Sequence, residues 1–293
     1  MNRTLLALTL LLCSAFYHPA QADAPANTAA NSAEFLAALN PQAGSIALPG
    51  GVAKLNLPPE FTYLTPAATE RLLVEGWGNP PGTQTLGMVI PTAVNPLEAG
   101  GWGVVITYDA DGHISDADAD DINYTDLLND MQEDNAAANE ERKKQGYGSM
   151  QLIGWAEAPR YDKSSHKFYW AKEFKTDQAG ANSLNYNIRV LGRTGVLVLN
   201  AVASMDEMPT IRAQMPSLLA ATEFIKGNRY EDFDANTDHV AEYGLAALVA
   251  GGAAAKLGLF AKLAALFIAF KKIIIVGALA LGGFIMQLFS RKK

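Results

Sequence analysis

From Tyr243 to the last residue the chain is almost wholly apolar: YGLAALVAGGAAAKLGLFAKLAALFIAFKKIIIVGALALGGFIMQLFSRKK. Within it, Ile273 to Phe289 carries no charge, is rich in Ile, Leu, Val and Phe, and is followed by Ser290-Arg291-Lys292-Lys293. A helix needs about 20 mainly apolar residues to cross the hydrocarbon core, and a closing cationic cluster is the mark of a cytoplasmic stop. A membrane tail is therefore expected at 243–293, with its main transmembrane span at about 273–289. Gly244 to Phe270 is also long enough to span, but Lys256 and Lys262 interrupt it and Lys271-Lys272 close it. A second span would form a tight hairpin and return the final basic cluster to the outside. One span is the reading taken here, with the Ala/Gly-rich part at the interface or on a neighbouring helix and its lysines snorkelling. Gly251-Gly252 and Ala253-Ala254-Ala255 would allow close helix contact and homo-oligomerisation through the tail. The simpler account is that small residues only dilute hydrophobicity there.

The other end of the chain, MNRTLLALTLLLCSAFYHPAQADA, has Arg3, an apolar run from Leu5 to Leu12, and Ala20-Gln21-Ala22. Those are the three parts of a cleavable secretory signal, expected to span 1–22. The apolar run is too short for an uncleaved anchor. Leu11 and Leu12 stand before Cys13 where a lipoprotein signal wants small residues. With the signal removed, the chain lies across the inner membrane with its main domain in the periplasm and Arg291 to Lys293 inside. Cys13 is the only cysteine, so the mature chain forms no disulfide and offers no thiol nucleophile or thiolate metal site.

The net charge of -7 hides a strong division. The tail carries seven cations and no acid and the signal carries Arg3, so removing both leaves -15 for residues 23–242. An acidic surface repels the phosphates that nucleic-acid binding must neutralise, so no nucleic-acid partner is expected.

Between signal and tail, residues 23–43 read as a flexible lead-in with a short helix from Ser32 to Leu39, residues 44–230 as a folded domain, and 231–242 as a linker. Strand patterns occur at Val52–Leu57, Thr85–Ile90 and Trp102–Tyr108, and Thr65-Pro66 opens a helix that runs to about Glu75. Asp111-Gly112 is a hairpin-type turn into His113-Ile114. Tyr124, Leu127, Leu128 and Met131 then mark one buried helix face, with acids from Asp116 to Asp130 at its start and Arg142-Lys143-Lys144 at its end. Leu152–Glu157 and Lys167–Phe174 are further strands. Leu184, Tyr186, Ile188 and Val190 alternate with Asn185, Asn187 and Arg189, which predicts a strand with one wet face. Gly195–Ala203, apolar on both faces, predicts a central covered strand paired with it through the turn Gly192–Gly195. A last helix is expected over about Glu207–Ile225. The sum is an α+β domain, an antiparallel sheet with packed helices, plus the C-terminal transmembrane helical tail.

The usual catalytic signatures, such as G-x-S-x-G, H-E-x-x-H and phosphate-binding glycine loops, are missing. His113, His166 and His239 each stand alone in the sequence. The sharpest chemical feature is the run from Asp109 to Asp121, in which Asp109, Asp111, Asp116 and Asp118 could offer oxygen ligands to calcium around Gly112. The register does not fit an EF-hand: Thr107 falls where the first aspartate belongs and Asp118 where a bidentate glutamate belongs. A turn followed by helix-capping acids accounts for the same residues. Trp77, Trp102, Trp155, Tyr169 and Trp170 could line a groove, although aromatics in strands more often pack in cores.

The stretches WGNPPG, LGMVIP, GWGVVITYDADGHISDADADDI, GWAEAPRYDKSSHKFYWAKE, LNYNIRVLGRTGVLVLNAVA and AAKLGLFAKLAALFIAFKK together resemble a family of bacterial membrane-anchored proteins known only as a domain of unknown function. The resemblance runs from about Gly44 to the C-terminus. It implies a Gram-negative envelope protein with a C-terminal anchor and transfers no catalytic residue. The expected function is a binding or interaction module of the cell envelope with an envelope protein as partner and no cofactor. The alternative is an envelope hydrolase or calcium-dependent enzyme using Asp109–Asp121.

Overall fold

The computed structural model describes residues 26–79, 81–144, 148–177 and 181–250. The chain divides into two compact units, Met1–Val249 and Ala250–Lys293. The expected signal at 1–22 and span at 273–289 lie outside the described residues. Among those described, no helix is long and apolar enough to cross a membrane.

The first unit is α+β. Helix α1 (Ala26–Ala38) is followed by β1 (Ser45–Ala47), β2 (Ala53–Asn56), β3 (Phe61–Leu64), α2 (Pro66–Arg71), β4 (Gly87–Pro91), β5 (Gly103–Asp109) and α3 (Tyr124–Lys144). Strands β6 (Met150–Asp162), β7 (Lys167–Thr176), β8 (Ser183–Leu191) and β9 (Val196–Ser204), helix α4 (Met208–Ala221), β10 (Thr222–Phe224) and α5 (Leu245–Ala250) complete it. Seven strands form one sheet in the order β3-β4-β5-β9-β8-β7-β6, and β1-β2-β10 form a second. Every named pairing is antiparallel.

Pleating decides the layers. Tyr186, Ile188 and Val190 of β8 and Leu197, Leu199 and Ala201 of β9 enter one cluster with Ile46, Leu55, Phe61, Trp102 and the α4 residues Ile211, Met215 and Leu218. Residues one step along the strands face the other way. There Phe168, Trp170, Val196 and Val198 pack with Met131 of α3 and Leu245, Leu248 and Val249 of α5. A third cluster joins Leu39, Leu64, Leu72, Met88 and Val105.

Local chemistry sets the ends of these elements. Thr65 Oγ1 accepts from Ala68 N at 3.3 Å, and Pro66 stands where a helix needs no N–H. Asn123 Oδ1 accepts from Thr125 N at 3.0 Å and opens α3. That cap corrects one expectation: Asp116 to Asp121 precede the helix in turns, so of the acids only Asp126 meets the first-turn dipole. A second correction concerns Asp111-Gly112, which does not fold β5 into a local hairpin. Strand β5 pairs with β4 and β9, and His113 forms a parallel bridge to Val240. The last helix also ends early, at Ala221, because Thr222–Phe224 are recruited as a strand beside β2. Strands β1 and β3, short and without a strict alternation, were not foreseen.

The outer edge of β6 is covered by side chains of α3. Asn135 Oδ1 accepts from Leu152 N at 2.9 Å. Asn139 accepts from Met150 N and donates to Met150 O, each at 2.9 Å. Gln132 Nε2 donates to Ile153 O at 2.9 Å. These three amides, spaced along one helix face, occupy groups that would otherwise template a foreign strand.

Candidate functional site

Residues 231–242, expected as a linker, run as a strap across the β8–β9 turn and the acidic segment. His113 N donates to His239 O and Ala241 N donates to His113 O, both at 2.8 Å. Arg193 grips the strap with its planar fork: Nε donates to Asp238 Oδ2 at 2.7 Å and Nη2 to Oδ1 at 2.9 Å. This pairing holds the Asp238 carboxyl down at about 2. Gly112 makes the approach feasible. Its φ is +105°, and a Cβ there would stand 2.7 Å from the His239 carbonyl oxygen.

Four rings form a stack that begins in the strap. Phe233 and His113 lie 3.9 Å apart, His113 and Tyr230 4.3 Å, and Tyr230 and His166 4.0 Å between centroids. Tyr230 Oη donates to Ile114 O at 3.0 Å. Tyr161 Oη donates to Asp116 Oδ2 at 2.8 Å and lies 3.1 Å from His166 Nδ1. Burial, helped by Asp116, raises the Tyr161 phenol far above its usual value, and burial pushes Tyr230 up to about 12. Both phenols are therefore neutral donors rather than bases. His113 is buried with its Nδ1 unpaired. Desolvation draws that imidazole below its ordinary value, against the Arg193 and Gly192 backbone and the charges of Asp116 and Asp238. Folding thus unites two histidines that are 53 positions apart in the sequence, a relation no local motif could signal.

The four aspartates picked from the sequence do not converge. Asp111 accepts from Tyr243 Oη at 2.5 Å, Asp116 from Tyr161, and Asp118 from Leu245 N at 3.3 Å. Asp109 closes β5 opposite Val196. Among the described residues, no group of three or more His, Cys, Asp or Glu is placed to hold a metal ion. Asp111, Asp116 and Asp118 serve as acceptors for Tyr243, Tyr161 and Leu245. A shallow cleft of about 330 Å³ beside them is lined by Tyr124, Arg160, Tyr161 and Lys163, among others, and Lys163 pairs with Asp120 at 2.6 Å across it.

The aromatic residues are packing rather than a groove. Trp102 and Trp170 are fully buried and Trp77 nearly so, with its Nε1 donating to Pro96 O at 2.8 Å. Trp155 Nε1 donates to Tyr124 O at 3.2 Å, and Tyr169 lies under Arg160.

The second face of β8 is not wet, contrary to its alternation. Asn185 and Asn187 are buried, as is Asn200 opposite Asn187 on β9. Asn187 Nδ2 donates to Asn185 Oδ1 at 2.6 Å. The guanidinium of Arg189 lies 5.0 Å over the Trp170 ring. The one legible signal was Asn200, the sole polar side chain in the apolar run GVLVLNAVA.

Residues 40–282 match the family described as "Protein of unknown function (DUF2167)". No curated protein matches the chain significantly. Solved structures with partial likeness include cyanobacterial PsbP (CyanoP) from Synechocystis, at 13% identity and TM-score 0.34, covering 62% of this chain and 91% of that one. The Ran-binding protein Mog1p of Saccharomyces cerevisiae is 8% identical with TM-score 0.32, covering 67% and 100%. A protein of Bacteroides thetaiotaomicron is 12% identical with TM-score 0.27, covering 63% and 49%. At such scores these likenesses carry nothing about activity.

Proposed function

We propose that this chain, which belongs to the DUF2167 family of proteins of unknown function, is an exported interaction module held at the outer face of the inner membrane by its C-terminal tail. The signal-like start, the apolar tail with its closing cations and the acidic body support export and anchoring. The observation that carries the reading is the strap. Asp238, His239 and Ala241, expected in a linker, bond to Arg193 and His113, Tyr243 and Leu245, expected in the tail, bond to Asp111 and Asp118, and Leu245, Leu248 and Val249 are core residues. The first compact unit thus includes the strap and runs through Val249. A segment folded into the domain in this way suits a module that offers an envelope partner one ordered surface.

The test is cross-linking in intact envelopes of the full-length chain, beside a version whose residues 251–293 are exchanged for an unrelated membrane span. Capture of the same envelope protein by both supports a binding module. Loss of every partner with the native tail would move the working surface into the membrane and overturn the reading.

A further inference from the structure

We propose that the sheet face formed by Trp170, Asn187, Asn200 and Arg189 is a closed recognition site for a carboxylate-bearing amide, the end group of a peptide or an N-acylated amino acid. The inference goes beyond the anchored-module reading and does not need it.

Trp170 of β7, Asn187 of β8 and Asn200 of β9 are direct register partners across three adjacent strands. Paired residues project to the same face, here the face that holds Phe168, Val196 and Val198. Trp170 is 0% exposed, and Asn187 and Asn200 are 4% exposed each. Two complementary atoms there lack any partner: the donor Nε1 of Trp170 and the acceptor Oδ1 of Asn200. Native structures leave few buried polar groups unpaired, and each such group asks for an explanation. Between the two stands Asn187, its amide already oriented by Asn185 O at 3.0 Å and Asn185 Oδ1 at 2.6 Å. Two residues further along β8, Arg189 lies against the Trp170 ring. Its Nη1 donates to Ile188 O at 3.1 Å, and burial pushes the guanidinium down to about 10 despite the nearby charge of Asp109.

The ligand class follows from these groups. Trp170 Nε1 needs an acceptor and Asn200 Oδ1 needs a donor. Their backbones are two strand spacings apart, about 10 Å, a gap the indole narrows. A trans amide carries C=O and N–H on opposite edges and satisfies both atoms at once. A partly buried guanidinium beside that amide matches a carboxylate through paired N–H donors. An acylamino acid, R–CO–NH–CHR′–COO⁻, presents the two groups at neighbouring positions. Trp170 shares its cluster with Leu245, Leu248 and Val249 of α5, so entry requires this packing to yield and binding should be slow.

The experiment uses the full-length chain in nanodiscs and follows the indole ¹H–¹⁵N signal of Trp170, assigned by its loss in Trp170→Phe. N-acetyl-alanyl-alanine is titrated beside its C-terminal carboxamide, with probes ending in L- or D-alanine. Binding of the free acid should move this signal, with the carboxamide and the Arg189→Lys variant each weaker by about tenfold or more. Asn200→Leu should abolish binding while its melting temperature stays equal or rises. A preference for L-alanine supports the site and names a protein C-terminus as the source, and a preference for D-alanine supports it and names a wall-type peptide. No movement of the Trp170 signal up to millimolar probe, with Asn200→Leu only raising the melting temperature, would overturn the proposal and leave the unpaired atoms as a packing defect.

Discussion

On one face of the seven-stranded sheet, Ile188 and Leu199 belong with Ile211, Met215 and Leu218 of α4, an apolar layer. On the other, one residue along the same strands, Asn187, Arg189 and Asn200 stand beside Trp170 and Val198. The strap, the ring stack and the acidic segment all gather with the polar face. Apolar burial is favourable without directional demands, so the α4 face can supply stability by volume alone. Burying amides costs free energy unless each is bonded, and the second face leaves atoms of Trp170, Asn200 and His113 unbonded, against Trp102 Nε1 in the apolar layer. The difference teaches that stability and specificity have been assigned to opposite sides of one sheet.

The largest effect that would break this division lies on the apolar side. Phe61 is 0% exposed and meets Trp102 edge-on at 6.4 Å. Phe61→Ala should cost about 3–5 kcal/mol in urea unfolding. A loss below about 1 kcal/mol would mean that this face is not the seat of stability. Next in size is the amide cover of β6. Asn139→Ala removes both bonds to Met150 and should cost about 1–2 kcal/mol, with a rise in concentration-dependent association as the edge opens. An unchanged melting temperature and a strictly monomeric domain would show that Asn139 is dispensable. Smaller in global terms is Arg193→Met, which cuts the fork to Asp238. Amide exchange should quicken at Asp234 and Ala241 of the strap and stay slow in β8 and β9. Equal protection in both variants would detach Arg193 from the strap's order.

Much of this was legible in the sequence, and the boundary is physical. Period-two alternation identified β8, and an apolar run identified β9 as central and covered. The Thr65-Pro66 cap was readable because its chemistry is local. Alternation could not tell a wet face from a buried polar one, since both read as polar residues at every second place, so Asn185 and Asn187 were assigned to solvent. The strap escaped notice because its bonds are long-range: Asp238 is a surface acid until Arg193 reaches it. The same holds for Asp111, Asp116 and Asp118, whose spacing invites a cation while folding hands each a different donor. A ring stack assembled from residues 113, 166, 230 and 233 has no spacing to recognise.

The smallest expected effect is also the most selective. His113 lies between Phe233 and Tyr230, faced by Arg193, Asp116 and Asp238, with its backbone bonded to His239 and Ala241. Its folded value is depressed by burial below the unfolded 6.5, so the unfolded chain takes up the proton first as pH falls. Stability from keeping the ring neutral is fully present above 6.5 and is lost as pH drops through the folded value. Asp238 acts in the same direction at lower pH, from its ordinary 3.8 down to about 2. The melting temperature of the full-length chain should therefore fall in two steps. His113→Phe keeps a flat ring against Phe233 and Tyr230 and removes the titration, so it should flatten the upper step and spare the lower one. If both steps survive in His113→Phe, the pH response belongs to other groups, and the buried imidazole on the polar face has no hold on the strap.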